Sequence, residues 1–125
     1  MAEKTEMDET KLFNTHSFQI DFESATGEKL SGTFTVHRPT MGERIQIGVI
    51  EAQLLGGLSN VDVFTSSLAH WISYLEVVID QAPKWWKPRE LHEPEVVQAV
   101  FDKYIDYLQK FQRRNKVENK DTSGG

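Results

Sequence analysis

The chain opens with thirteen residues, MAEKTEMDETKLF, that show no hydrophobic periodicity, and residues 1–13 are expected to form a disordered arm. HSFQIDFES then alternates strictly. Phe18, Ile20 and Phe22 fall on one face and Ser17, Gln19 and Asp21 on the other, the pattern of a half-buried strand. After ATGEK, with Gly27 free to take a positive φ, LSGTFTVHR alternates again and sets Leu30, Gly32, Phe34 and Val36 on one face. Two alternating runs about a short glycine-bearing turn predict a β-hairpin. Gly32 marks a bulge or the close approach of a helix. A lone hairpin is marginal in water, so its apolar face must lie on helices.

Beyond Pro39 the period changes from two to three or four. Thr40 and Glu43 have the spacing of a capping box, and the helix they start runs to about Leu55. Its core stripe is read as Met41, Ile45, Val49 and Ala52. Ile47, Ile50 and Leu54 widen it, so this helix is buried on two sides or meets a partner. Gly56-Gly57 ends it. The longest periodic segment follows, Val61 to Gln81, with Val61, Phe64, Leu68, Trp71/Ile72, Leu75 and Val78/Ile79 on one face; the core is expected to be built on it. Asp62 caps its start and Pro83 stops it. Pro83, Pro88 and Pro94 then forbid a regular element through KWWKPRELHEP. A last helix from Pro94 to Gln112 aligns Val97, Val100/Phe101, Tyr104, Leu108 and Phe111. Residues 113–125 are expected to be a flexible tail. The order is ββααα. The fold class is α+β and mostly helical: an N-terminal β-hairpin packed on a bundle of about three helices, in a single domain over residues 14–112.

Composition narrows the class. With 125 residues, 38% hydrophobic and 26% charged, the chain suits one soluble domain with a modest core. No run of eighteen apolar residues offers a membrane span. The N-terminus carries Glu3, Glu6, Asp8 and Glu9 and no apolar core, so it does not read as a secretory signal. The absence of cysteine excludes disulfides, thiolate catalysis and the common structural zinc sites, and fits a reducing cytoplasm. A net charge of −5 disfavours non-specific binding to nucleic acid. Arg113, Arg114, Lys116 and Lys120 cluster near the end, but Glu118 and Asp121 dilute them.

Candidate chemistry is sparse. His16, His37, His70 and His92 have no metal-ligand spacing. His16 and His37 lie near each other across the hairpin ends; they are either a cross-strand metal pair or, the plainer reading, two exposed strand-end residues. His70 sits at the edge of the central apolar stripe, as a partly buried structural histidine. Glu76 and Asp80 are spaced i, i+4 on the central helix, as an acid–base pair or simply a solvated face. There is no nucleophile motif and no phosphate loop. No catalytic residue, metal ligand or cofactor site is assigned, and the chain is not read as an enzyme. Lys84-Trp85-Trp86-Lys87-Pro88 asks for an explanation: its tryptophans fold back as a lid over the core, or present a ring to a partner, or do both with one ring in and one out.

Several segments together resemble the tail assembly chaperones of long-tailed bacteriophages, over about Phe18 to Phe111. They are the hairpin FQIDFESATGEKLSGTFTVHRPT, the E-R-I-x-I run at Glu43 to Ile47, Gly56-Gly57, the helix with Leu68-Ala69 and Leu75, the P-x-W-W block at Pro83 to Trp86, and the closing helix with Val97, Tyr104 and Phe111. The resemblance implies a non-enzymatic chaperone in viral tail assembly. Its partners would be the tape-measure protein and the tail-tube protein, with self-association open. It would act in the host cytoplasm and be missing from the mature virion, with no nucleic acid or membrane involved. A helix-binding groove is expected between Ile47, Ile50 and Leu54 and the Trp85/Trp86 segment. The alternatives are a structural virion component of the tail or head–tail joint, or a small DNA-binding regulator. Long polymerising strands would favour the first; a steeply salt-dependent DNA affinity would favour the second.

Overall fold

The structure, a computed structural model, describes residues 14–58 and 60–124, from 111 onward as backbone alone; the expected arm over 1–13 lies outside the described residues. Strands β1 (Thr15–Glu23) and β2 (Lys29–His37) form the hairpin, followed by helices α1 (Met41–Leu54) and α2 (Val63–Val78), strand β3 (Ile79–Gln81) and helix α3 (Pro94–Gly124). The molecule is α+β, with an antiparallel sheet of order β1-β2-β3.

The alternation expected of the hairpin sets its register. Phe18 pairs with Phe34, Ile20 with Gly32 and Phe22 with Leu30, so one sheet face is apolar. Gly27 turns the hairpin at φ +87°. That face meets the helices in one core containing Ile20, Phe34, Val36, Ile47, Leu75, Val78, Val100 and Tyr104. The Tyr104 hydroxyl, raised well above its ordinary pKa by burial, donates to the His37 carbonyl at 3.1 Å. Buried Ser73 donates to the His70 carbonyl at 3.0 Å, so its burial leaves no orphan hydroxyl.

Helix boundaries follow the local chemistry at three of their ends. Thr40 accepts from the Glu43 N–H while Glu43 accepts from the Thr40 N–H, a complete capping box. Asp62 accepts from the Thr65 N–H at the start of α2. Gly56 and Gly57 follow α1 at φ +63° and +77°.

The central helix is shorter than its periodicity predicts. Helix α2 stops at Val78, and Ile79 turns extended (ψ 121°) to begin β3, which pairs with β2 through Val36↔Ile79 and Thr35↔Gln81. Val77, Val78 and Ile79 are consecutive β-branched residues that lose rotamer freedom in a helix, and Pro83 biases Ala82 away from helical angles. Either period accommodates Val78 and Ile79, so periodicity alone could not place the boundary. Phe64 also departs from the expected core stripe and is 54% exposed. At its far end α3 continues to Gly124, past the end expected at Gln112. No proline or glycine interrupts residues 95–123 to end the helix sooner.

Gly32 does mark a close approach, but by the loop after β3 rather than a helix. A β-carbon there would lie 2.5 Å from Cγ and 2.7 Å from Cβ of Pro83. The same loop lays both tryptophans on the sheet. Trp85 and Trp86 meet Phe34 edge-on at centroid distances of 5.8 and 5.2 Å, and the Trp85 Nε1–H donates to the Ser31 carbonyl at 3.0 Å.

Candidate partner-binding surface

Helix α1 packs on the core in the opposite sense to its expected stripe. Ile47 is buried, and Ile50 and Leu54 are half-buried. Met41, Ile45 and Val49 are instead 78%, 72% and 52% exposed. Two apolar rows on one helix leave periodicity undecided between them. Packing against α2, with Ile47 in the shared core, goes with which row faces in.

The outward sector, roughly a third of the helix circumference, contains Met41, Ile45, Gly48, Val49 and Ala52 and no polar side chain. Arg44 and Glu51 border it on one flank, Gln46 and Gln53 on the other. Leu58 in the following loop and Val63 and Phe64 in the first turn of α2 add further exposed apolar area, at 65%, 82% and 54%. Scattered exposed apolar residues are ordinary; an apolar row along a whole helix is a candidate interaction surface.

Of the five residues first expected to grip a partner, none lies in that outward row. Ile47 belongs to the buried core, and Leu54, Trp85 and Trp86 pack against it from its edge. The tryptophans are therefore a lid on Phe34 that keeps some outer surface. Ile50 is half-buried on the same inward side of α1.

An open cleft of about 1030 Å³ lies by the hairpin end, lined among others by Arg38, Met41 and Arg44 and by a charged cluster. His37 is the centre of that cluster: Nδ1 lies 3.0 Å from an Asp80 carboxylate oxygen and Nε2 lies 2.8 Å from one of Glu43. It ties β2 to β3 and to the capping box of α1. Burial works against the charged ring, but the hydrogen bonds and charges of Glu43 and Asp80 outweigh it and raise the His37 pKa. A neutral imidazole can donate to only one of two carboxylates. For Glu43, burial opposes ionisation, and the Thr40 N–H together with His37 reverses this, lowering its pKa. The two carboxylates approach opposite edges of one ring and do not converge; among the described residues no group of three or more acids and histidines is placed to hold a metal.

A testable pH dependence follows. His37 is raised in the fold, so its contribution is complete below its ordinary value of 6.5 and is lost as pH rises through the folded pKa. Glu43 is lowered, so its contribution is complete above 4.5 and is lost as pH falls through its folded pKa. Denaturation midpoints should be highest between these limits. His37→Gln should remove the alkaline decline, a change on the order of 1 kcal/mol for partly solvated pairs. An identical alkaline slope in wild type and His37→Gln refutes the assignment.

The remaining candidates separate. Thr15, not His16, pairs with His37, so the two histidines point to opposite sheet faces and do not meet. Neither is a free strand end. His16 stacks on Tyr107 at 4.9 Å, and burial, helped by Lys110, lowers its pKa. His70 binds Glu51 at 2.9 Å, joining α2 to α1, with its ring edge-on to Phe101. Glu76 accepts from Nε and Nη2 of Arg89, at 2.8 and 2.9 Å, while Asp80 binds His37, so these acids form no pair.

Comparison with protein-family models, curated proteins and solved structures returns no match. Among the described residues no helix is long and apolar enough to cross a membrane.

Proposed function

We propose that this chain is a non-enzymatic chaperone of bacteriophage tail assembly that binds the tape-measure protein and helps recruit tail-tube subunits. It does so in the host cytoplasm and is left out of the mature virion. The observation that carries this reading is the outward row Met41, Ile45 and Val49, apolar and solvent-facing along α1. Such a row suits a long amphipathic partner, because apolar side chains at helical spacing dock against another helix. A single row buries little area, which suits a client that must later be displaced.

Co-expression of the tape-measure protein with this chain should rescue its solubility and yield a complex in pull-down. The double variant Ile45→Asp/Val49→Asp should reduce capture at least tenfold, corresponding to about 1.4 kcal/mol or more. Its melting temperature should be unchanged, since both residues are exposed. Undiminished capture by the folded variant rejects this surface, and detection of the chain in purified virions by mass spectrometry favours a structural component instead.

A further inference from the structure

We propose that a second copy of this chain docks antiparallel on the outer face of α1, covering the face that the client takes. Naming that face as the client's rests on the reading above; the self-association does not. Met41, Ile45, Gly48 and Ala52 follow one another in steps of four, three and four, the spacing of a coiled-coil seam. Arg44 and Glu51 lie two turns apart on one flank of it. When two such helices run antiparallel about a two-fold axis, that flank meets itself reversed. Arg44 of one copy then faces Glu51 of the other, and symmetry repeats the pair. A parallel pair would set the charged flank against the uncharged positions Gly42 and Val49 on the other side of the seam, so the charges select the antiparallel arrangement. Arg44 is exposed and has no ion pair among the described residues. Glu51 binds His70 through Oε1, and a carboxylate accepts further donors on its second oxygen.

Gly48 lies near the midpoint of the flank pair. It is exposed, and a β-carbon added there would meet nothing within 4 Å. Nothing within the described chain therefore requires glycine, although glycine inside a helix costs roughly 0.5–1 kcal/mol relative to alanine. A second helix crossing at Gly48 gives the missing side chain a use, because the two backbones can then approach closely. A helix of this length spans about 21 Å, so the seam is short of a standard interface, and association on the order of tens of micromolar is expected.

Sedimentation equilibrium of the whole chain from micromolar to several hundred micromolar tests this. Wild type should follow a monomer–dimer equilibrium. Arg44→Glu and Glu51→Arg should each weaken it about tenfold or more, with melting curves confirming the fold. An equimolar mixture of the two variants should restore dimers, since both contacts in the mixed pair are again Glu–Arg. The double variant should restore them as well. A monomer at every concentration, a dimer indifferent to the single variants, or no restoration on mixing overturns the proposal. A strict monomer that still captures the tape-measure protein removes only the dimer; a dimer that captures none removes only the chaperone reading.

Discussion

Phe34→Ala is expected to lower folding stability by about 3–5 kcal/mol, a large share of the roughly 5–15 kcal/mol that holds a domain together. Phe34 is fully buried. It stacks on Phe18 at 5.6 Å and receives both tryptophans edge-on. Each such aromatic pair contributes about 0.5–1.5 kcal/mol beyond the area it hides. Truncation removes three pairs and opens a cavity bounded by a sheet and a loop. The sheet is held by its hydrogen bonds and cannot collapse inward to fill the space. Urea unfolding followed by circular dichroism should show the midpoint fall. Tryptophan emission of the folded variant should shift to the red, because Trp85 and Trp86 lose the ring they cover. A loss below about 1.5 kcal/mol, the range of a volume-conserving swap, would mean that the rings do not rest on Phe34 in solution.

The second large effect is expected at the neighbouring inward position of β2. Gly32→Ala should destabilise by about 1–3 kcal/mol, although alanine is better suited to a strand than glycine. The added methyl would stand 2.5 Å from the Pro83 ring, which cannot rotate away as a flexible side chain can. Either the loop carrying Trp85 and Trp86 lifts, or β2 bends. A double-mutant cycle with Pro83→Gly separates the clash from other causes. Removing the ring should recover at least 0.5 kcal/mol of the Gly32→Ala cost beyond additivity. Strict additivity, or a Gly32→Ala variant as stable as wild type, would show that the loop does not press on the strand.

These two neighbours mark the limit of what the pattern of residues conveys. Alternation placed Phe18, Ile20, Phe22, Leu30, Phe34 and Val36 on one face and implied their cross-strand register. It leaves Gly32 open between a bulge and the close approach of a helix, and the group that does approach, Pro83, comes from about fifty residues further along the chain. The tryptophans were conspicuous for the same reason and unreadable for the same reason: irregular backbone has no period, so their direction depends on what they pack against. The sequence offers His37 as a strand-end residue or as half of a cross-strand metal pair with His16. Local spacing presents His37's partners Glu43 and Asp80 as part of a cap and as half of a helical carboxylate pair. Only the early end of α2 moves Asp80 into β3 and brings all three together.

The candidate surface shows the same division. Residue order alone establishes two apolar rows on α1, one through Ile47, Ile50 and Leu54 and one through Met41, Ile45 and Val49. It also establishes the capping box, the double-glycine stop and the alternating hairpin, since these depend on neighbours within a few positions. Which row is buried is a tertiary matter. A helix can turn about its axis at little local cost, and its rotation goes with its packing on α2 and the Glu43 bond to His37 of β2. That rotation buried Ile47 and left Met41 and Ile45 in water.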